Sequence, residues 1–223
     1  MPVSRVSTAA SSGQTIFRSR IDADRTTEIL REMPGPTFIT TDRLELRPPE
    51  ESDIPFLQEG VNHPEVRKYI SAFEGPYDEQ RYRDELRARE NDGDATTLLA
   101  VPTTGEFADE PVGSVSLAPV IQRDGYANFG VWFHPKAWGN GYALEASAHL
   151  LEHAFRERRL HRVSATAMCP NEASQQLCER LGFVHEGTAR EAQFADGAYV
   201  DVERYGLLRR EWGGPANVLE RSG

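Results

Sequence analysis

The sequence predicts an α/β fold with one central sheet of mixed, mostly antiparallel direction. Three observations carry this. The first strand-like segments follow one another through short turns, which favours antiparallel pairing. The later ones are separated by helical stretches, which allows parallel neighbours. The longest helical stretch carries one apolar stripe, as a helix covering a core does.

Residues 1–36 read as an arm or flexible tail. The run VSTAASSGQ is small, polar and aperiodic. A short helix over Ile21–Met33, capped by Asp22 or Asp24, would end at Pro34-Gly35-Pro36. Arg43–Arg47 alternates as a strand and stops at Pro48-Pro49. Ser52 or Asp53 can cap a helix from Ile54 to about Val61, and a second helix runs from Pro64 to Ile70. Asp78–Glu90 reads as a charged helix closed near Asn91-Asp92-Gly93. Thr96–Val101, Val112–Leu117 and the apolar Tyr126–Phe133 read as strands. Gly141 to about Arg158 is the longest helix, with Leu144, Ala148, Leu151 and Phe155 on one face. Arg162–Ala167 is a strand, and Asn171–Leu181 a helix closed by Gly182. Phe183–Gly187 and Tyr199–Leu208 are the last strands. Gly213–Gly223 looks like a second tail, so the domain is expected over 37–212.

Composition excludes whole classes. Thirty-five acidic residues face 25 basic ones, a net charge of -10, and only two of the basic residues are lysines, Lys68 and Lys136. Such a balance works against broad binding to nucleic acid or anionic membranes. No apolar run approaches the roughly 20 residues of a membrane span. The N-terminus lacks the apolar stretch of a signal peptide, so a cytoplasmic location is expected. Cys169 and Cys178 are too few for a disulfide framework or a structural zinc site. Low lysine, high arginine and excess carboxylates suit a high-salt interior; codon bias plus ordinary acidity explains them as well.

The most informative segment is Phe129–Ala146, FGVWFHPKAWGNGYALEA. A strand ends at His134-Pro135, a turn holds Gly139 and Gly141, and the long helix begins. A helix start offers unpaired N–H groups and partial positive charge, and glycines let an anion come close. A structural turn explains G-x-G equally well. Leu144 stands where a dinucleotide fingerprint has its third glycine, and no Gly-Lys-Ser/Thr follows. A second segment, Asn171 to Phe183, starts with a residue that can cap its helix or face a ligand amide.

Together these segments resemble the GNAT acyl-CoA N-acyltransferase superfamily, and within it the RimJ/RimL-like branch. That family's pyrophosphate loop, Gln/Arg-x-x-Gly-x-Gly/Ala, reads here Lys136-Ala-Trp-Gly139-Asn-Gly141, with lysine at the first position. The branch's W-G-x-G-Y-A-x-E-A spans Trp138–Ala146, and its N-x-x-S…G-F falls on Asn171, Ser174, Gly182 and Phe183. An opening T-D-R-L-x-L-R-P lies at Thr41–Pro48 and a closing Y-x-L-L-R-x-E-W at Tyr205–Trp212. The resemblance implies the GNAT fold: helices on both faces of the sheet, and strands four and five splayed at their C-terminal ends. It implies acetyl-CoA as cosubstrate, an amine acceptor, no metal, and a monomer or homodimer. By the same resemblance, backbone groups of Val131, Trp132 and Phe133 would pair with the pantetheine arm. Lys136, Trp138, Gly139, Asn140, Gly141, Tyr142 and Ala143 would hold the pyrophosphate, and Asn171 and Ser174 would meet the pantetheine or adenosine end. The Trp132 and Phe133 side chains are expected in the core.

Acyl transfer needs an unprotonated amine, a donor for the thioester oxygen and a proton for the departing thiolate. A backbone N–H near Val131 can serve the oxygen. Asn128 stands where many relatives carry a glutamate base, and Cys178 where many carry a tyrosine acid. Asn128 cannot take a proton. Cys178 can donate one, although a buried structural cysteine is the commoner case. These two departures also suit an acyl-CoA sensor without turnover. A remoter rival is His149-Leu-Leu-Glu152-His153, which spells an inverted zinc-peptidase signature. Its histidines lie about 140° and 180° from the apolar stripe, where solvent is expected. On the acceptor side, Tyr69–Tyr77 and the strand carrying Asp201, Glu203 and Tyr205 are expected. Their acids, with Glu74, can attract a cationic amine or be plain surface charge.

Overall fold

The computed structural model describes residues 36–70, 75–91 and 94–220. The expected arm over 1–36 and its helix over 21–33 lie outside them but for Pro36. So do Glu74 and the middle of the Tyr69–Tyr77 segment.

Among the described residues the strands are β1 (Ile39–Thr40), β2 (Leu44–Arg47), β3 (Thr96–Pro102), β4 (Gly113–Ile121), β5 (Tyr126–Phe133), β6 (Arg162–Met168), β7 (Val184–Ala195) and β8 (Ala198–Leu208). The helices are α1 (Ile54–Asn62), α2 (Pro64–Arg67), α3 (Glu79–Asn91), α4 (Tyr142–Arg156), α5 (Glu172–Arg180) and α6 (Pro215–Glu220). The strands form one sheet in the order β1-β2-β3-β4-β5-β6-β8-β7. Every neighbouring pair is antiparallel except β5 and β6, which run parallel because α4 returns the chain between them.

Alternation along the strands sends side chains to two cores. Leu98 and Ala100 of β3 face one way and join Leu144, Leu151 and Phe155 of α4. Leu99, between them, faces the other way and meets Ile54 and Leu57 of α1 and Tyr82 of α3. Helices therefore cover both faces of the sheet.

Several elements differ from the sequence reading, each for a visible reason. Asp53 stands at the N-cap position of α1 but makes no side-chain cap. Its carboxylate instead takes both ends of the buried Arg47 guanidinium, at 2.7 Å each. Helix α2 ends at Arg67 rather than Ile70, and its cap is His63, whose Nδ1 accepts from the Glu65 amide. Strand β7 continues to Ala195, well past Gly187, along β8 from Ala198 to Gly206. The stretch after Gly213, read as a tail, contains α6, whose Val218 is buried in the main core.

Candidate active site

The site grows from the point where β5 and β6 part. Their ladder holds only three pairs, Tyr126 with Arg162, Ala127 with Val163 and Asn128 with Ser164. Beyond Asn128, β5 stays paired to β4 as far as Phe133 with Gly113, but not to β6. A bulge on β4, between Leu117 and Val120, sets two residues opposite Asn128. Bulges increase local twist, and this one lies opposite the residue where the strands part. A preceding two-residue strand shifts the count, so the family's strands four and five are β5 and β6.

At the open end of β5 the chain makes a short 3-10 turn over Pro135–Ala137, passes through Gly139 and Gly141, and enters α4. Both glycines have positive φ, 82° and 77°, where a side chain is strained. No side chain caps α4 at Gly141. The amide groups from Gly139 to Leu144 make no hydrogen bond among the described residues. Four of these six donors, Gly141 to Leu144, stand at the positive end of a 15-residue helix, and two lie in the turn that leads into it.

Lys136 is exposed at the rim, with Nζ 3.5 Å from Glu110 and over the Phe107 ring, so its charge is already shared. Trp138 lies half in solvent, and its Nε1 donates to the Phe133 carbonyl at 2.7 Å. That carbonyl is therefore engaged, whereas the expected pantetheine partners included Phe133. The Asn140 amide group donates back to the Ala137 carbonyl at 3.0 Å and braces the turn. Tyr142 and Ala143 are the half-buried first residues of α4. Val131 is half-buried beside the open edge of β5. The Trp132 ring stacks on Phe56 at 5.5 Å and the Phe133 ring is buried, so both side chains pack cores, as expected.

Asn171 caps α5, its Oδ1 accepting from the Ser174 amide at 3.2 Å. Asn128, at the vertex, accepts through Oδ1 from the Tyr126 hydroxyl at 2.8 Å. Cys178 is 2% exposed in the main core, and burial together with nearby Glu179 pushes its thiol up to about 12. That makes it a weaker acid than an ordinary thiol near 8.5, so donating to a CoA thiolate would be uphill.

Tyr205 is buried. Glu203 receives the Cys169 thiol at 3.0 Å, the Thr188 hydroxyl at 2.7 Å and the His185 ring. Those hydrogen bonds, Cys169 first, hold its carboxyl down at about 2. Asp201 accepts from the Glu191 amide. Asp201 is thus committed within the β7–β8 hairpin, and Glu203 to β7 and to Cys169 after β6. Tyr69 reaches across from the end of α2, its hydroxyl donating to the Pro170 carbonyl at 3.1 Å.

One expectation fails at the histidines of α4. His153 is buried, edge-on to Phe38 at 5.0 Å, and His149 is half-buried, which lowers its pKa. Phe38, just ahead of β1, packs on a face that the helical wheel leaves to solvent. Glu152 is taken by the Trp212 indole at 2.7 Å and by Arg156 at 2.6 Å, which accounts for it structurally.

Residues 43–184 match the model of the acetyltransferase (GNAT) domain family. A phosphinothricin N-acetyltransferase of Streptomyces coelicolor is 32% identical over 176 residues, 78% of this chain and 98% of that protein. A putative ribosomal N-acetyltransferase, YdaF, of Bacillus subtilis is 37% identical over 102 residues, covering 46% of this chain and 56% of the relative. Among solved structures, a probable acetyltransferase superposes with TM-score 0.69 at 28% identity, over 79% of this chain and 98% of the other. Sheet order, splayed strands, glycine loop and sequence matches agree: this chain belongs to the GNAT family of N-acetyltransferases.

Proposed function

We propose that the protein transfers the acetyl group of acetyl-CoA to a primary amine, on a protein N-terminus or a small molecule, by direct attack. The observation that carries this reading is the open edge of β5 lying beside six unpaired amides that run from the turn into the start of α4. The fit to CoA is specific in kind. A pyrophosphate asks for converging N–H donors, and a pantetheine arm asks for a strand edge. One relative is named for a ribosomal acceptor and another for phosphinothricin, so family support extends to both acceptor classes.

In this reading the catalytic domain starts near residue 37, as the sequence suggests, and runs past 212 to include α6. The amides from Gly139 to Leu144 hold the pyrophosphate. The outward-facing backbone of Val131 and the Phe133 N–H pair with the pantetheine amides, with a nearby N–H facing the thioester oxygen as it gains charge. Asn171 and Ser174 close the far side of the arm. Asn128 orients a water or the amine through its amide group and takes no proton. The amine therefore loses its proton to solvent, and holding the reactants together supplies much of the rate. A thiolate whose acid lies near 8.5 departs without a strong protein acid, and Cys178 stays a core residue.

Thiol release from acetyl-CoA, screened over peptides with free N-termini and small amines, tests the reading. Steady release with at least one amine is expected. Tight CoA binding with no release above hydrolysis for any amine would favour the sensor reading, which Asn128 and Cys178 motivate.

A further inference from the structure

A charged pair far apart in sequence clamps the glycine turn. Glu145 sits in the first turn of α4 and is 2% exposed. Its Oε1 accepts from the Thr41 hydroxyl at 2.6 Å and the Arg43 amide at 2.9 Å. Its Oε2 accepts from Arg43 Nε at 2.7 Å, with the guanidinium NH2 also at 2.7 Å. The remaining arm of that guanidinium donates to the Asn140 carbonyl at 2.9 Å, inside the turn. Burial would raise the Glu145 carboxyl, but Thr41 and Arg43 outweigh it and hold it below its ordinary value. The Arg43 guanidinium also lies 5.2 Å from the centre of the Tyr142 ring and 3.4 Å from where a Cβ on Gly141 would be.

We propose that Arg43 is a positioning residue for the anion-binding loop: by holding the Asn140 carbonyl and the Glu145 carboxylate, it turns the Gly141 amide toward the CoA pyrophosphate. In a trans peptide the carbonyl and the following N–H point opposite ways. Fixing the Asn140 carbonyl toward Arg43 therefore fixes the Gly141 N–H away from it. A carboxylate at the helix start would also repel a phosphate, and Arg43 cancels that charge while occupying little of the loop. A lysine there cannot reach both acceptors, because it lacks the planar fork. The proposal rests on reading the loop as the pyrophosphate site.

The test compares CoA with pantetheine, which lacks the pyrophosphate, by titration calorimetry on the full chain. Wild type, Arg43→Ala and Arg43→Lys are compared. Arg43→Ala is expected to raise the Kd for CoA about tenfold, the loss of one charged hydrogen bond, and to change pantetheine binding less than about twofold. Arg43→Lys should restore only part of the CoA affinity. It also carries the test if the alanine variant does not fold. Unchanged CoA affinity, or equal weakening for CoA and pantetheine, would overturn the proposal. A wild-type protein that binds neither would sink the CoA reading itself, a result distinct from failure of the clamp.

Discussion

Asn128 sits where the two strands part, with its acceptor oxygen committed to Tyr126. An amide in that place predicts that kcat/KM rises with pH along the titration of the acceptor's own amine. Two acceptors of different amine pKa should give two displaced profiles. A shared inflection between pH 5 and 7.5, whatever the acceptor, would reveal a protein base and contradict this assignment. Cys178 makes the complementary point. Cys178→Ala should cost about 1 kcal/mol of stability as a small core truncation, read from denaturant midpoints, and leave turnover at saturating substrates within about twofold. A kcat loss of a hundredfold would restore it as the acid. Both positions were legible in the sequence as places, because motif spacing marks them. Their states were not, because burial and hydrogen-bond partners come from strands and helices distant in the chain. Arg43 and Glu145 stood in quoted motifs, yet nothing local pairs two residues about a hundred positions apart.

Among the elements, those set by strong local patterns were legible almost to the residue. Tyr126–Phe133 is a strand apolar but for Asn128, and α4 starts where Gly141 ends the turn. Strand β7 was read short because its pattern is broken. Register shifts at His185/Gly187 and Ala189/Gln193 interrupt alternation, Glu191 has a φ of 49°, and most of its side chains are exposed. Only pairing with β8 holds it as a strand. Helix α1 hides a tighter constraint. A Cβ on Gly60 would lie 2.2 Å from the Trp132 ring, so the helix rests directly on the indole of β5. Gly60→Ala should therefore destabilise by about 1–3 kcal/mol, despite alanine's better helix propensity. Chemical denaturation checks this, and a stabilised variant would show that α1 moves freely against β5.

At the scale of the whole molecule, a chain of charge -10 is assigned a polyanionic substrate. The nearby cations do little to offset that field, since Lys136 faces Glu110 and Arg43 faces Glu145. Attraction must then come chiefly from short-range amide groups, which salt screens weakly, while the long-range repulsion is screened. CoA affinity should hold or rise between about 0.05 and 1 M salt; a steep decline would point to a basic patch instead. The most direct test of the account as a whole follows the acetyl group itself. Protein is mixed with acetyl-labelled CoA, an accepted amine is added, and the label is traced through a single turnover. Direct transfer predicts label on the amine nitrogen in step with thiol release, and none bound covalently to the chain. Label trapped on Cys169 or Cys178, or released only as acetate, would contradict it.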